Sequence, residues 1–97
     1  MQYKIDWQYT ALEDLKAIRL YLEEFSLDTA DKILTELVDK ADSLKQFPNR
    51  CPKFRKNSEL RRLILDEYSI FYDVVEKKSL VRVFYVYHHL RDTRYLM

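Results

Sequence analysis

The spacing of apolar and polar positions changes along this 97-residue chain, and each change marks an element. In "YKIDW" they alternate, so Tyr3, Ile5 and Trp7 share one face and predict a half-buried strand. From Thr10 the period lengthens. Leu12, Leu15, Ile18, Leu22 and Phe25 recur every three or four residues, which predicts a helix to about Phe25. "TALE" has the spacing of a capping box, with Thr10 and Glu13 expected to satisfy the first free backbone donors. "SLDT" breaks the pattern and offers Ser26 or Asp28 as the next N-cap. Beyond it Ala30, Ile33, Leu34, Leu37, Val38, Ala41 and Leu44 form a second apolar stripe that ends near Pro48.

The second half reads differently. "LRRLIL", "YSIFYDVV" and "LVRVFYVYHH" are rich in β-branched and aromatic residues and are separated by the short connectors "DE" and "EKKS", the pattern of an antiparallel meander. The last run is apolar on both parities, as in a central strand covered on two sides. Two helices with one apolar stripe each need a sheet to bury them. The expectation is an α+β fold of order β-α-α-β-β-β, a helical hairpin packed on an antiparallel sheet, with residues 1–97 forming one domain.

Composition narrows the chemistry. Glycine is absent, which excludes a glycine-rich phosphate cradle and leaves turns to Asn, Asp, Ser, Lys and Pro. The single cysteine, Cys51, has no partner for an internal disulfide and no companions at metal spacing, so no metal or cofactor is expected. No stretch approaches a membrane span, and "MQYKIDW" carries charge where a signal peptide needs an apolar run, so a cytoplasmic protein without a membrane partner is expected.

Charge is divided unevenly. Residues 1–49 hold six Lys/Arg against ten Asp/Glu, a balance of −4, and residues 50–97 hold eleven against six, a balance of +5. "RCPKFRKNSELRR" gathers six cations around Glu59, a composition that suits a polyanion or an acidic partner, and equally a solvated loop. Downstream, "HHLRDTRYLM" adds two histidines, two arginines and a tyrosine. Strand alternation sets Arg82, Phe84, Val86 and His88 on one face and Val83, Tyr85, Tyr87 and His89 on the other, so the two histidines are expected to point to opposite sides. Histidine is the default proton carrier near neutral pH and arginine the default partner of phosphate. His89 or His88, with Arg91, Arg94 and Tyr95 beside Arg61, Arg62 and the basic loop, would hold a phosphodiester and move protons around it. Ordinary capping and surface pairing would explain the same residues.

The order "ALEDLKAIRLYL", "TADKILTELVDKADSLKQFP", "RRLILDEYSIFYDV" and "VFYVYHHLRD" resembles the RelE/ParE superfamily, the toxins of bacterial type II toxin–antitoxin and plasmid-stabilisation modules. His88, Arg91 and Asp92 match a His-x-x-Arg-Asp-like ending common in that family. The resemblance implies a growth-arresting toxin silenced by a cognate antitoxin. RelE-like members cut mRNA on the ribosome, as metal-independent endoribonucleases (mRNA interferases), and ParE-like members inhibit DNA gyrase. The RelE pattern implies Arg62, His89 and Tyr95 as catalytic residues, His89 replacing a catalytic arginine. Lys53, Arg55, Lys56, Arg61, Arg91 and Arg94 are the expected nucleic-acid contacts. Ser69 departs from that pattern, because RelE and YoeB types carry arginine there. Ribosome-dependent mRNA cleavage is the favoured expectation, with gyrase inhibition as the alternative.

Overall fold

The computed structural model describes residues 2–94. Its order is β1 (Lys4–Trp7), α1 (Tyr9–Glu23), α2 (Leu27–Asp42), β2 (Arg61–Leu65), β3 (Tyr68–Val75) and β4 (Leu80–His88), with 3-10 turns at Ser43–Lys45, Pro48–Arg50 and Glu76–Lys78. The helical hairpin packs on one face of a four-stranded sheet ordered β1-β4-β3-β2. The α+β class and the element order are those expected. The sheet is mixed, because β1 runs parallel to β4, with Lys4 opposite Leu80 and Trp7 opposite Val83. β4 is therefore central, as its apolar character on both parities indicated.

The core lies between helices and sheet. Leu37, Ala41 and Leu44 pack with Ile70, Tyr72, Val81 and Val83, all fully buried. Ser26 caps α2 by accepting from the Thr29 amide at 3.2 Å. α1 departs from expectation. Its N-cap is Gln8, without a side-chain bond, and Thr10 donates instead to the Phe84 carbonyl at 2.6 Å, so no capping box forms. Its buried face carries Ala11, Asp14, Ile18 and Leu22, while Leu12 and Phe25 are 50% and 69% exposed.

The cause is an irregularity in β4. Phe71 faces Tyr85 but Tyr72 faces Val83, so Phe84 is an extra residue, a β-bulge. β1 stops at Val83, which leaves the edge of β4 beyond it without a strand neighbour. α1 supplies the partners: Thr10 takes the Phe84 carbonyl, and Asp14 Oδ2 accepts the Val86 amide at 3.0 Å. Buried backbone donors must be satisfied, and this need turns Asp14 inward in place of Leu12. The bulge also corrects the predicted faces. Val81 and Val83 share the helix side with Val86 and His88, whereas Arg82, Tyr85 and Tyr87 look the other way.

With no glycine available, three of the described residues take left-handed backbone: Phe47 (φ 53°), Asp66 (φ 52°) and Ser79 (φ 48°). Asp66 and Ser79 are the short polar residues such turns favour. Phe47 is not.

Candidate functional site

The polar groups of the closing segment gather where β4 ends, beside the β2–β3 hairpin. Paired residues on neighbouring strands share a face. Tyr68 opposite His88 faces the helices, and Ser69 opposite Tyr87 faces outward. His89 follows the strand and its ring joins the outward side, so the two histidines do point apart.

His88 is buried, 5% exposed. Its Nδ1 accepts the Leu90 and Arg91 amides, both at 3.1 Å, which requires a lone pair there and places the proton on Nε2, 3.0 Å from Glu67 Oε2. With the Asp92 amide donating to the His88 carbonyl, this closes the turn that sends the chain back toward α1. Arg91 then lies over the Tyr21 ring at 3.9 Å and donates to the Tyr68 hydroxyl at 3.2 Å. Arg94 donates to Asp14 at 2.7 Å and to Asp92 at 2.6 Å, and stands over the Tyr87 ring at 4.4 Å. The Arg94 hydrogen bond holds the Asp92 carboxyl below its usual range, and Asp92 in turn raises the Arg94 guanidinium.

On the outward face Arg62, Ser69 and His89 form one chain. Arg62 Nε donates to Ser69 Oγ at 2.7 Å, and Ser69 Oγ lies 2.7 Å from His89 Nε2, with Arg62 Nη2 3.5 Å from the same nitrogen. Since the hydroxyl accepts from arginine, its own proton is directed at Nε2. The imidazole also bonds the Tyr68 backbone. Burial foremost, then the neighbouring Arg62 and His88, push the His89 imidazole below its ordinary 6.5. A depressed histidine favours the folded state when neutral. Its contribution is therefore present above 6.5 and lost as pH falls from there through the folded value. A wild-type melting midpoint that falls over this window, and falls less in His89→Gln, is the expected result of thermal denaturation from pH 8 to 5.

The sequence-predicted residues are only partly assembled. Arg62 and His89 meet. Lys53, Arg55 and Lys56 stay in the loop before β2, where Lys53 lies 3.7 Å from Glu59 and Arg55 covers the Phe54 ring at 5.0 Å. Arg61 turns toward that loop and donates to the Asn49 and Cys51 carbonyls at 3.2 and 2.6 Å. Arg91 and Arg94 lean on α1. Tyr95 lies outside the described residues. Sequence reasoning missed Asp14, whose place at a helical spacing gave no sign of a backbone partner, and missed an aromatic cluster on the outward face. There Phe71 contacts Phe54 and Tyr87 with centroids 4.9 and 5.1 Å apart, and Tyr87 contacts Tyr85 at 5.5 Å. Among the described residues no cluster of His, Cys, Asp and Glu is arranged to hold a metal, and no helix is long and apolar enough to cross a membrane.

A helical hairpin thus covers one face of a small mixed sheet, and the Arg62–Ser69–His89 chain lies on the other. Among solved structures the fold matches the chromosomal ParDE system of P. aeruginosa (TM-score 0.76, 20% identity, 90% of this chain and 96% of that one). It also matches the RelBE2 complex of Mycobacterium tuberculosis (TM-score 0.68, 21% identity, 91% and 92%) and the isolated E. coli RelE toxin (0.59, 20%, 97% and 92%). Toxin RelE2 of Caulobacter vibrioides is 40% identical over 47 residues, 48% of this chain and 53% of that protein, so the match spans about half of that relative. The family described as ParE toxin of type II toxin-antitoxin system, parDE, matches residues 5–93. This chain belongs to that family.

Proposed function

We propose that this toxin, silenced by a cognate antitoxin, arrests growth by binding DNA gyrase rather than by cutting mRNA. The observation that carries this reading is the saturated chain Arg62–Ser69–His89. A general base needs a lone pair within reach of a substrate proton. His89 Nε2 is engaged by Ser69 and its ring by the Tyr68 backbone, and Ser69, standing where RNase-type relatives carry arginine, is fully buried. Arg91 and Arg94 are likewise held against α1 by rings and carboxylates. Cations committed to the fold contribute little to a developing charge on a substrate. The ParE family match supports the same choice.

One observation favours the second reading, ribosome-dependent cleavage. A histidine held below 6.5 is neutral at cellular pH and lies next to a guanidinium, the pairing an acid–base ribonuclease uses. The two separate in cells. His89→Ala expressed without antitoxin is expected to arrest growth within a few-fold of wild type. A fall of 100-fold or more with antitoxin binding intact, the order expected for a lost catalytic group, would sink the binding reading.

A further inference from the structure

Where α2 passes the turn between β2 and β3, helix and sheet leave a groove of ≈ 340 Å³. Leu65 pairs with Tyr68 across that turn, so both point toward the helices, and with Ile33 and Leu37 of α2 they make its floor apolar. The rim carries one sign of charge: Glu36 on α2, and Asp66 and Glu67 in the turn. That charge is not neutralised within the chain. Among the described residues neither Glu36 nor Asp66 makes an ion pair, although Glu36 is half-buried. Glu67 accepts only the Nε2 proton of His88, whose Nδ1 lone pair is held by two amides, so no cation offsets its carboxylate. Three carboxylates around an apolar floor repel one another, and a cation placed among them relieves that repulsion.

We propose that this groove receives a lysine or arginine side chain of the cognate antitoxin; the inference rests on the toxin–antitoxin part of the proposed function and not on the choice of target. Charge sorts the candidates. A long cationic side chain lays its methylene stem on Ile33 and Leu65 and brings its head to the carboxylates, so it answers the apolar floor and the acidic rim together. The same rim repels nucleic acid. A second copy of this chain fits less well, because Arg50, Arg61 and Arg62 of the basic loop are bonded within their own copy. Of the two protein partners in the present reading, the antitoxin is the one that must stay bound. A pocket that takes one anchor side chain is how tight interfaces concentrate their energy.

The test is a titration of the full-length toxin with purified cognate antitoxin at about 50 and about 300 mM salt, without gyrase or ribosomes. With neither target present the titration reads the groove alone, so a failure of the gyrase reading leaves its outcome unchanged. Glu36→Gln combined with Asp66→Asn keeps side-chain size and removes two charges, and asparagine accepts left-handed backbone as aspartate does. The double variant is expected to weaken the complex at least about 10-fold and to flatten its salt dependence, with a melting midpoint unchanged or higher because like charges are removed. An affinity within about two-fold of wild type overturns the proposal, as does a loss of affinity accompanied by a lower midpoint. Unchanged antitoxin affinity with weaker binding of Asp66→Asn to purified gyrase would assign the groove to the target. Self-association of the free toxin in sedimentation, abolished by the double variant, would assign it to a second copy. Either result overturns the proposal.

Discussion

Asp14→Ala is expected to destabilise the fold by about 2–4 kcal/mol, which lowers the melting midpoint by roughly 10–20 °C in a domain of this size. Asp14 is 8% exposed and serves two elements at once. One oxygen accepts the Val86 amide at the bulged edge of β4, and the other holds Arg94 at 2.7 Å. Alanine leaves a buried amide without its acceptor and removes one of the two carboxylates on Arg94, and it offers too little volume for water to replace both. Asp14→Asn retains an acceptor for the amide and loses the charge, so about half the cost is expected to return. Thermal unfolding of the two variants beside wild type separates the amide contribution from the ionic one. Equal losses in both would show that the ion pair alone matters, and no loss in either would remove Asp14 from the device that closes the sheet edge.

The second large effect falls on the helical hairpin. Residues 9–42 carry nine Asp/Glu against four Lys/Arg, and the connection between the helices presents Phe25 and Leu27, 69% and 63% exposed. An acidic surface with apolar side chains at its tip complements a basic surface such as a DNA-handling enzyme uses to grip its substrate. If gyrase is the target, Phe25→Asp combined with Leu27→Asp is expected to weaken inhibition of supercoiling by about 30-fold or more, with the fold intact because neither side chain is buried. Wild-type potency in the double variant would move the contact off the tip.

Much of the fold was legible because it rests on periodicity. The alternation of Tyr3, Ile5 and Trp7 and the stripe from Ala30 to Leu44 report burial directly, and both face the core except at Val38, which is 37% exposed. The pattern misled where a polar contact outranked an apolar one. Leu12 lost the core face to Asp14, and Thr10 gave up a capping role for the Phe84 carbonyl, because β4 outruns β1 and its edge needs partners. A bulge leaves no mark in a run that is apolar on both parities, so the side of the sheet taken by Arg82 relative to Val86 and His88 was beyond reach. At the site, residue types indicated cations and histidines in the right places. Their commitment did not show, because Ser69 joining Arg62 to His89, and Glu67 holding His88, come from register between strands distant in sequence.

The central claim is that this toxin stops growth by occupying gyrase. The most direct measurement is a titration of purified gyrase supercoiling relaxed plasmid, with purified toxin added alone and after saturation with antitoxin, beside translating ribosomes carrying a defined mRNA at the same toxin concentrations. Supercoiling lost in proportion to toxin, restored by antitoxin, with the message intact, is the expected result. Undiminished supercoiling together with new 5′ ends inside the A-site codon would contradict it and return His89 and Arg62 to the chemistry their residue types first implied.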